Sequence, residues 1–158
     1  MDKKMSILMF SGEYDKALAA LILANTAMEI NVEVTMFFAF WGLTLIRDPN
    51  GAPDEDKTMS EKMFANMTPK NIDDAPLSKM NMAGIGKKML VGMMEENDTP
   101  NLEAFLKGAL KKGVNMKACK LSCDVMGFSE DELLPQVEII DAEDYLKDAL
   151  ESNIQLFI

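Results

Sequence analysis

Short apolar runs alternate with helical patterns along most of this chain. Met5 to Phe10 is an apolar run that ends at a Ser-Gly pair, which is typical of a buried strand. Residues 14–30 then place apolar side chains three and four positions apart among several alanines, which predicts a helix. The next run, Val32 to Phe40, is rich in β-branched and aromatic residues and predicts a second strand. The chain therefore begins as strand, helix, strand.

The same alternation returns in the second half of the chain. A helix is predicted over residues 102–112, with Gly113 as its C-terminal cap. Further strands are predicted at residues 114–119, 137–140 and 154–158, with a short helix after the first of them and a longer one between the last two. Strands that alternate with helices indicate parallel βαβ units. The pattern predicts a layered α/β fold on a mostly parallel sheet of about five strands.

A long segment between the second and third strands interrupts this alternation. It opens with loop signals at residues 48–56 and then places Met59, Met63 and Met67 at helical spacing. A helix is also predicted from Lys87 to Glu96. We expect one domain over residues 1–158, with an insertion at about residues 48–86 that is long enough to be functional. Thioethers select Cu(I), but packing in a core or an interface is the more ordinary use of these methionines.

Composition and charge narrow the classes of function. The 158 residues carry a formal net charge of −10, which argues against a nucleic-acid partner. Two cysteines and no histidine cannot build a secreted disulfide framework, and free thiols with 15 methionines fit a reducing cytoplasm. The longest apolar stretch, Val34 to Ile46, is shorter than the ~18 residues that a membrane-spanning helix needs. Membrane association is therefore not expected, although the apolar segment Phe37 to Trp41 favours a homo-oligomer interface.

Cys119 is the first candidate for covalent chemistry. It stands where the third strand should end and a short helix should begin, at the edge of an open α/β sheet where sites form. A thiol at that place can be exposed, and the first amides of the helix could hold its thiolate. Lys117 and Lys120 are nearby cations. The alternative is that Cys119 is a small buried hydrophobe.

The sequence pattern gives weaker support for other residues at the predicted Cys119 site. Cys123 is a second thiol four residues on, and at helical spacing its Cβ is too far from that of Cys119 for a disulfide. Such a bond would need Cys119 to lie off the helix end, and we expect Cys123 to face the core. Two thiols fall short of the four ligands of zinc, so we expect no metal and no cofactor. The expected pocket or substrate-binding residues come from the first βα turn, the apolar segment Phe37 to Trp41, the loop at residues 77–86 and the helix after Cys119. They are Gly12, Glu13, Trp41, Lys79, Asn81, Lys120 and Ser122.

Three separated motifs resemble one known family. Residues 37–43 (FFAFWGL), 77–82 (LSKMNM) and 118–127 (ACKLSCDVMG) are similar to the DsrE/DsrF/DsrH-like family, closest to its DsrE2-type branch, which is often labelled peroxiredoxin-like. The end of the chain, from Tyr145 onward, is similar as well. This resemblance implies a flavodoxin-like α/β domain that oligomerises and carries sulfane sulfur as a persulfide. By motif position the acceptor cysteine is Cys119, whereas Cys123 departs from the family pattern, in which methionine is more usual.

The residues and the resemblance together favour a sulfur carrier or sulfurtransferase-like protein. It would form a persulfide on Cys119 and exchange sulfur with donor and acceptor proteins or small thiols. Two alternatives stay open. One is a thiol redox protein that uses Cys119 and Cys123, and the other is a non-catalytic oligomeric module that binds a small ligand.

Overall fold

A parallel five-strand sheet forms the centre of the protein. The computed structural model describes residues 2–52 and 55–158. The strands lie in the order β4-β3-β2-β1-β5, and every neighbouring pair is parallel. The strands are β1 (Lys4–Met9), β2 (Glu33–Phe38), β3 (Asn115–Cys119), β4 (Glu138–Ile140) and β5 (Ile154–Phe157). The predicted α/β class and parallel sheet are confirmed.

Helices connect these strands and cover both faces of the sheet. They are α1 (Tyr14–Glu29), α2 (Met59–Met67), α3 (Ile85–Glu96), α4 (Leu102–Lys112), α5 (Lys120–Met126) and α6 (Ala142–Leu150). Short 3-10 segments lie at Phe40–Ile46, Ile72–Asp74, Met82–Gly84 and Glu130–Glu132. In the described ranges, none of these helices combines the length and the apolar content that crossing a bilayer requires.

The two faces of the sheet are unequal. Side chains such as Ile7, Val34 and Met116 point to one face and pack against α1 and α4 in the main core. The alternate side chains, such as Leu8 and Phe37, point to the other face, where they meet α6. Because α6 has only nine residues, this second face has a much smaller apolar cluster. Cys119 belongs to the second face.

The predicted end of the second strand was wrong by two residues. β2 ends at Phe38, and a 3-10 segment begins at Phe40, because the chain turns back over the end of β1. The Gly42 amide donates a hydrogen bond to the Phe10 carbonyl at 3.0 Å. A side chain at Gly42 would place its Cβ 2.0 Å from the Met9 carbonyl oxygen, so the turn requires glycine.

Buried charges hold the segment that follows this turn. Lys57 Nζ lies 2.5 Å from Glu132 Oε1, and both side chains are almost fully buried. The Arg47 guanidinium donates to the Ala65 carbonyl and to Thr68 Oγ1, near the end of α2. These contacts tie both ends of α2 to the domain. The predicted loop at residues 48–56 includes residues 53 and 54, which lie outside the described ranges.

Candidate functional site

Cys119 lies where the sequence predicts it. It is the last residue of β3 and immediately precedes the first turn of α5. Its backbone is extended, with φ −72° and ψ 117°, and it pairs in register with Ile140 of β4. The residue therefore lies at the carboxyl edge of the sheet, where sites form in open α/β folds.

The expectation of an exposed thiol at Cys119 is wrong. Its side chain packs in the second-face cluster with Phe37, Ala39, Tyr145 and Ala149, and only 8% of the residue is exposed. The rings of Phe37 and Tyr145 stack with their centroids 4.4 Å apart. The thiol is covered because α6 places Tyr145 and Ala149 on this face.

The polar surroundings of Cys119 also differ from the prediction. In the part of the chain that the structure describes, no amide of α5 donates a capping hydrogen bond to the Cys119 side chain. The ammonium group of Lys120 is exposed and lies 2.9 Å from Asp124 Oδ2. This hydrogen bond and the carboxylate charge raise the pKa of Lys120. The neighbouring cation is therefore already paired with a carboxylate.

Cys123 faces the main core, as predicted. Only 2% of the residue is exposed. Burial, and to a smaller extent the charges of Cys119 and Asp124, raises the pKa of Cys123 to about 12. The thiol is therefore protonated near neutral pH and a poor nucleophile. Both cysteines are free, and a reaction at Cys123 stays a prediction.

Ser122 carries an unsatisfied hydroxyl close to this turn. It lies in the first turn of α5, three residues after Cys119 in the sequence. Ser122 is fully buried, and among the described residues its Oγ is the one buried side-chain nitrogen or oxygen without a hydrogen-bond partner. An unpaired buried group of this kind costs about 1–3 kcal/mol. Such groups in a native structure often have a functional explanation.

Three other predicted pocket residues come together, but away from Cys119. Gly12, Glu13 and Trp41 line one cavity of about 290 Å³ with residues from the end of α2. Gly12 is required there because a Cβ would lie 2.7 Å from the Trp41 carbonyl oxygen. Glu13 precedes α1 and pairs with Lys16 at 3.4 Å. Cys119 does not line this cavity.

The loop at residues 77–86 lies beside a different cavity. Asn81 lines a polar cavity of about 720 Å³ with Tyr14 and Lys87, and its Oδ1 accepts a hydrogen bond from the Leu77 amide at 3.2 Å. Lys79 is exposed and does not line that cavity. The structure therefore does not bring Lys79 or Asn81 together with Cys119 in one cavity.

Sequence reasoning missed the aromatic residues around the site. The sequence pattern marks Tyr145 only as part of a family motif, although its ring packs in the cluster around Cys119. Phe10, Phe40 and Phe64 line a separate cavity that no local pattern indicated. The available signal for Phe10 and Phe40 was that each is an aromatic residue at the end of a predicted strand. That position alone does not show which side chains lie together in the folded protein.

Comparisons with known proteins agree with this architecture. The chain is 40% identical over 156 residues to the Bacillus subtilis (strain 168) protein named Uncharacterized protein YrkE, covering 99% of this chain and 97% of that one. It is 28% identical over 164 residues to the Allochromatium vinosum Sulfur carrier protein DsrE2, covering 99% and 98% of the two chains. The crystal structure of the ychN protein from E. coli has the same fold, with a TM-score of 0.60, 16% identity and complete coverage of both chains. Residues 1–157 match the model of the DsrE/DsrF/DrsH-like family, and the chain belongs to that family.

Proposed function

We propose that this protein is a cytoplasmic sulfur carrier that holds sulfane sulfur as a persulfide on Cys119. The observation that carries the proposal is the position of Cys119 at the carboxyl end of β3, at the first turn of α5. Cys123 is a poor alternative, because burial raises its pKa to about 12. The 28% identical relative named as a sulfur carrier supports the same chemistry.

The transfer requires two thiolate attacks and no net oxidation. The Cys119 thiolate attacks the outer sulfur of a donor persulfide, so that a sulfur–sulfur bond forms at Sγ while the donor's own bond breaks. The electron pair of the broken bond leaves with the donor thiolate. An acceptor thiolate then attacks the outer sulfur on Cys119 and releases the Cys119 thiolate again. Donor and acceptor are therefore thiol-bearing proteins or small thiols.

The apolar cluster around Cys119 suits a carrier that must protect its cargo. A persulfide is lost to any thiolate that reaches it, because exchange depends on access. The stacked rings of Phe37 and Tyr145 limit that access in the described structure. Loading then requires α6 to move locally, which is easier for a nine-residue helix than for the main core.

Intact-mass measurement after incubation with polysulfide tests the proposal. Wild type and Cys123→Ala should each gain the mass of one sulfur atom, and a reducing agent should remove it. Cys119→Ser should gain none. The Cys123→Ala variant is the matched control because it removes the other thiol of the sequence, four residues on in α5. If Cys119→Ser takes up sulfur as well as wild type does, the assignment of Cys119 is wrong.

We also infer a single domain that assembles into a homo-oligomer. Leu146 and Leu150 expose apolar side chains on α6, and the nearby end of the sheet exposes Phe157, with 71% of that residue accessible. Covering these side chains with a second copy would remove apolar surface from water next to the Cys119 cluster. Light scattering should give a mass above that of one chain, and Leu150→Glu should lower it. A monomer at micromolar concentration would contradict the inference.

A further inference from the structure

We propose that this protein binds a small organic cation with an apolar body, in a cavity between α2, α5 and the carboxyl ends of β1 and β2. The cavity has a volume of about 450 Å³, which lies within the ~300–1,000 Å³ typical of small-molecule sites. Its walls come from Phe10, the 3-10 segment after β2, the first half of α2 and the last turn of α5. The proposal is independent of sulfur transfer at Cys119.

Aromatic rings make up most of the cavity wall. Phe10 and Phe40 have their centroids 5.9 Å apart, and Trp41 and Phe64 have theirs 5.5 Å apart. Both pairs are tilted, and Phe10 also stacks on Phe157 with their centroids 5.8 Å apart. Phe10, Phe40 and Trp41 each keep more than a third of their surface exposed. Exposed ring faces carry a partial negative charge, and they attract cations that lie over them.

A charged residue of the lining points to the same class of ligand. Glu61 contributes a carboxylate, and the described residues of the lining include no lysine and no arginine. Its Oε2 accepts a hydrogen bond from the Thr58 amide at 2.8 Å. Among the ion pairs of the described residues, none includes Glu61, so no side chain of those residues neutralises its charge.

Charge complementarity therefore distinguishes between anionic, neutral and cationic ligands for this cavity. An anion would meet the Glu61 carboxylate and the negative ring faces without any compensating donor of positive charge. A neutral apolar ligand would contact the aromatic walls but would leave the Glu61 carboxylate unpaired. A quaternary ammonium or a similar organic cation satisfies both, since rings bind the cation face-on and the carboxylate balances its charge. The net charge of −10 attracts the same ligands from a distance.

Trp41 provides a direct readout, because it is the one tryptophan of the sequence and it lines the cavity. The Cys119→Ser protein is titrated with benzyltrimethylammonium, with the neutral benzyl alcohol and with phenylacetate, at physiological ionic strength. We expect a saturable change in Trp41 emission, with the cation bound about tenfold more tightly than phenylacetate. Using the Cys119→Ser protein makes the result independent of persulfide formation.

Two pairs of variants separate the cavity from the general charge of the protein. Glu61→Gln should remove the preference for the cation, while glutamine still suits the capping position at the start of α2. Glu96→Gln makes the same change of charge on an exposed part of α3 and should leave the preference intact. Val125→Lys should abolish binding of the cation, whereas Leu121→Lys, on the same helix but outside the lining, should not. Circular dichroism confirms that each variant is folded.

Several results would overturn the proposal. Trp41 emission that does not saturate with benzyltrimethylammonium would show that the cavity does not bind this class. Equal affinity for benzyl alcohol or phenylacetate would show that charge does not select the ligand. Equal loss of binding in Glu61→Gln and Glu96→Gln would assign the effect to overall charge. An emission spectrum that changes with protein concentration, together with no ligand response, would show that a second copy fills the cavity.

Discussion

Removing one partner of the buried ion pair between Lys57 and Glu132 should strongly destabilise the protein. Lys57 Nζ and Glu132 Oε1 are 2.5 Å apart, with 4% and 5% of the side chains exposed. The other carboxylate oxygen, Oε2, accepts a hydrogen bond from the Ser129 amide at 2.9 Å. Lys57→Met removes the partner cation and leaves the Glu132 charge in an apolar environment. Removing one partner of a buried pair typically costs about 3–5 kcal/mol.

For Lys57→Met, the expected loss in the free energy of unfolding lies near the lower end of this range. Arg47 is close enough to Glu132 for the carboxylate to counteract the effect of burial, which lowers the pKa of Arg47. Part of the Glu132 charge therefore stays compensated, and a loss of about 3 kcal/mol is expected for Lys57→Met. For a chain of this length, that corresponds to a fall of roughly 6–12 °C in Tm.

Urea denaturation, followed by Trp41 fluorescence and by circular dichroism, measures this loss. The double variant Lys57→Met/Glu132→Leu should recover part of it, because the Glu132 charge is no longer buried without its partner, although the Ser129 amide loses its acceptor. Lys147→Met is the matched control: its pair with Glu143 is exposed, so it should cost less than about 1 kcal/mol. If Lys57→Met costs no more than this control, or if the double variant is as unstable as the single one, the reasoning about desolvated charge is refuted.

Three further predictions follow from the residues around α5. Ser122→Ala should raise the free energy of unfolding by about 1 kcal/mol, because it removes an unpaired buried hydroxyl; a lower Tm would contradict this. Gly127→Ala should destabilise the protein by at least about 1 kcal/mol, since Gly127 has φ +75° and the new Cβ would lie 2.5 Å from Glu61 Cγ. In the control Gly92→Ala the new Cβ meets no atom of the described residues within 4 Å, so this change should be neutral or stabilising. The pKa of Cys123 rises from 9.0 to about 12 on folding, so the stability that its protonated thiol contributes is present below pH 9 and falls between pH 9 and pH 12. Urea titrations across that range should show this decline in wild type and a weaker decline in Cys123→Ala.

Local pattern was enough to predict the elements that carry the site. The helix at residues 102–112 was predicted at its observed bounds, because Asn101 caps its start through the Ala104 amide and Gly113 adopts a positive φ at its end. The turn at Cys119 was also predicted, because a strand that runs into a short helix is a feature of neighbouring residues. The motifs around residues 37–43 and 118–127 gave the family, which the match over residues 1–157 confirms.

The same reasoning did not predict the surroundings of Cys119. Its exposure was overestimated because Phe37 and Tyr145, the residues that cover it, are 82 and 26 positions away in the chain. Lys79 and Asn81 were expected in one pocket with Cys119, but Asn81 lines the cavity beside α1 and α3. Contacts of this kind depend on the order of the strands and on which face of the sheet each connecting segment crosses. The hydrophobic periodicity of the sequence does not encode either of these.

The amino-acid sequence by itself determined where strands and helices form, which family the chain resembles and which cysteine ends a strand, because each of these depends on short-range pattern. Only the tertiary structure decided how that cysteine is covered. β4 and β5 lie at opposite edges of the sheet, so α6, which connects them, must cross the whole sheet. Its path runs over the face that holds Cys119, and it brings Tyr145 and Ala149 onto the sulfur. The order of the strands, more than any local residue choice, sets the access to the thiol.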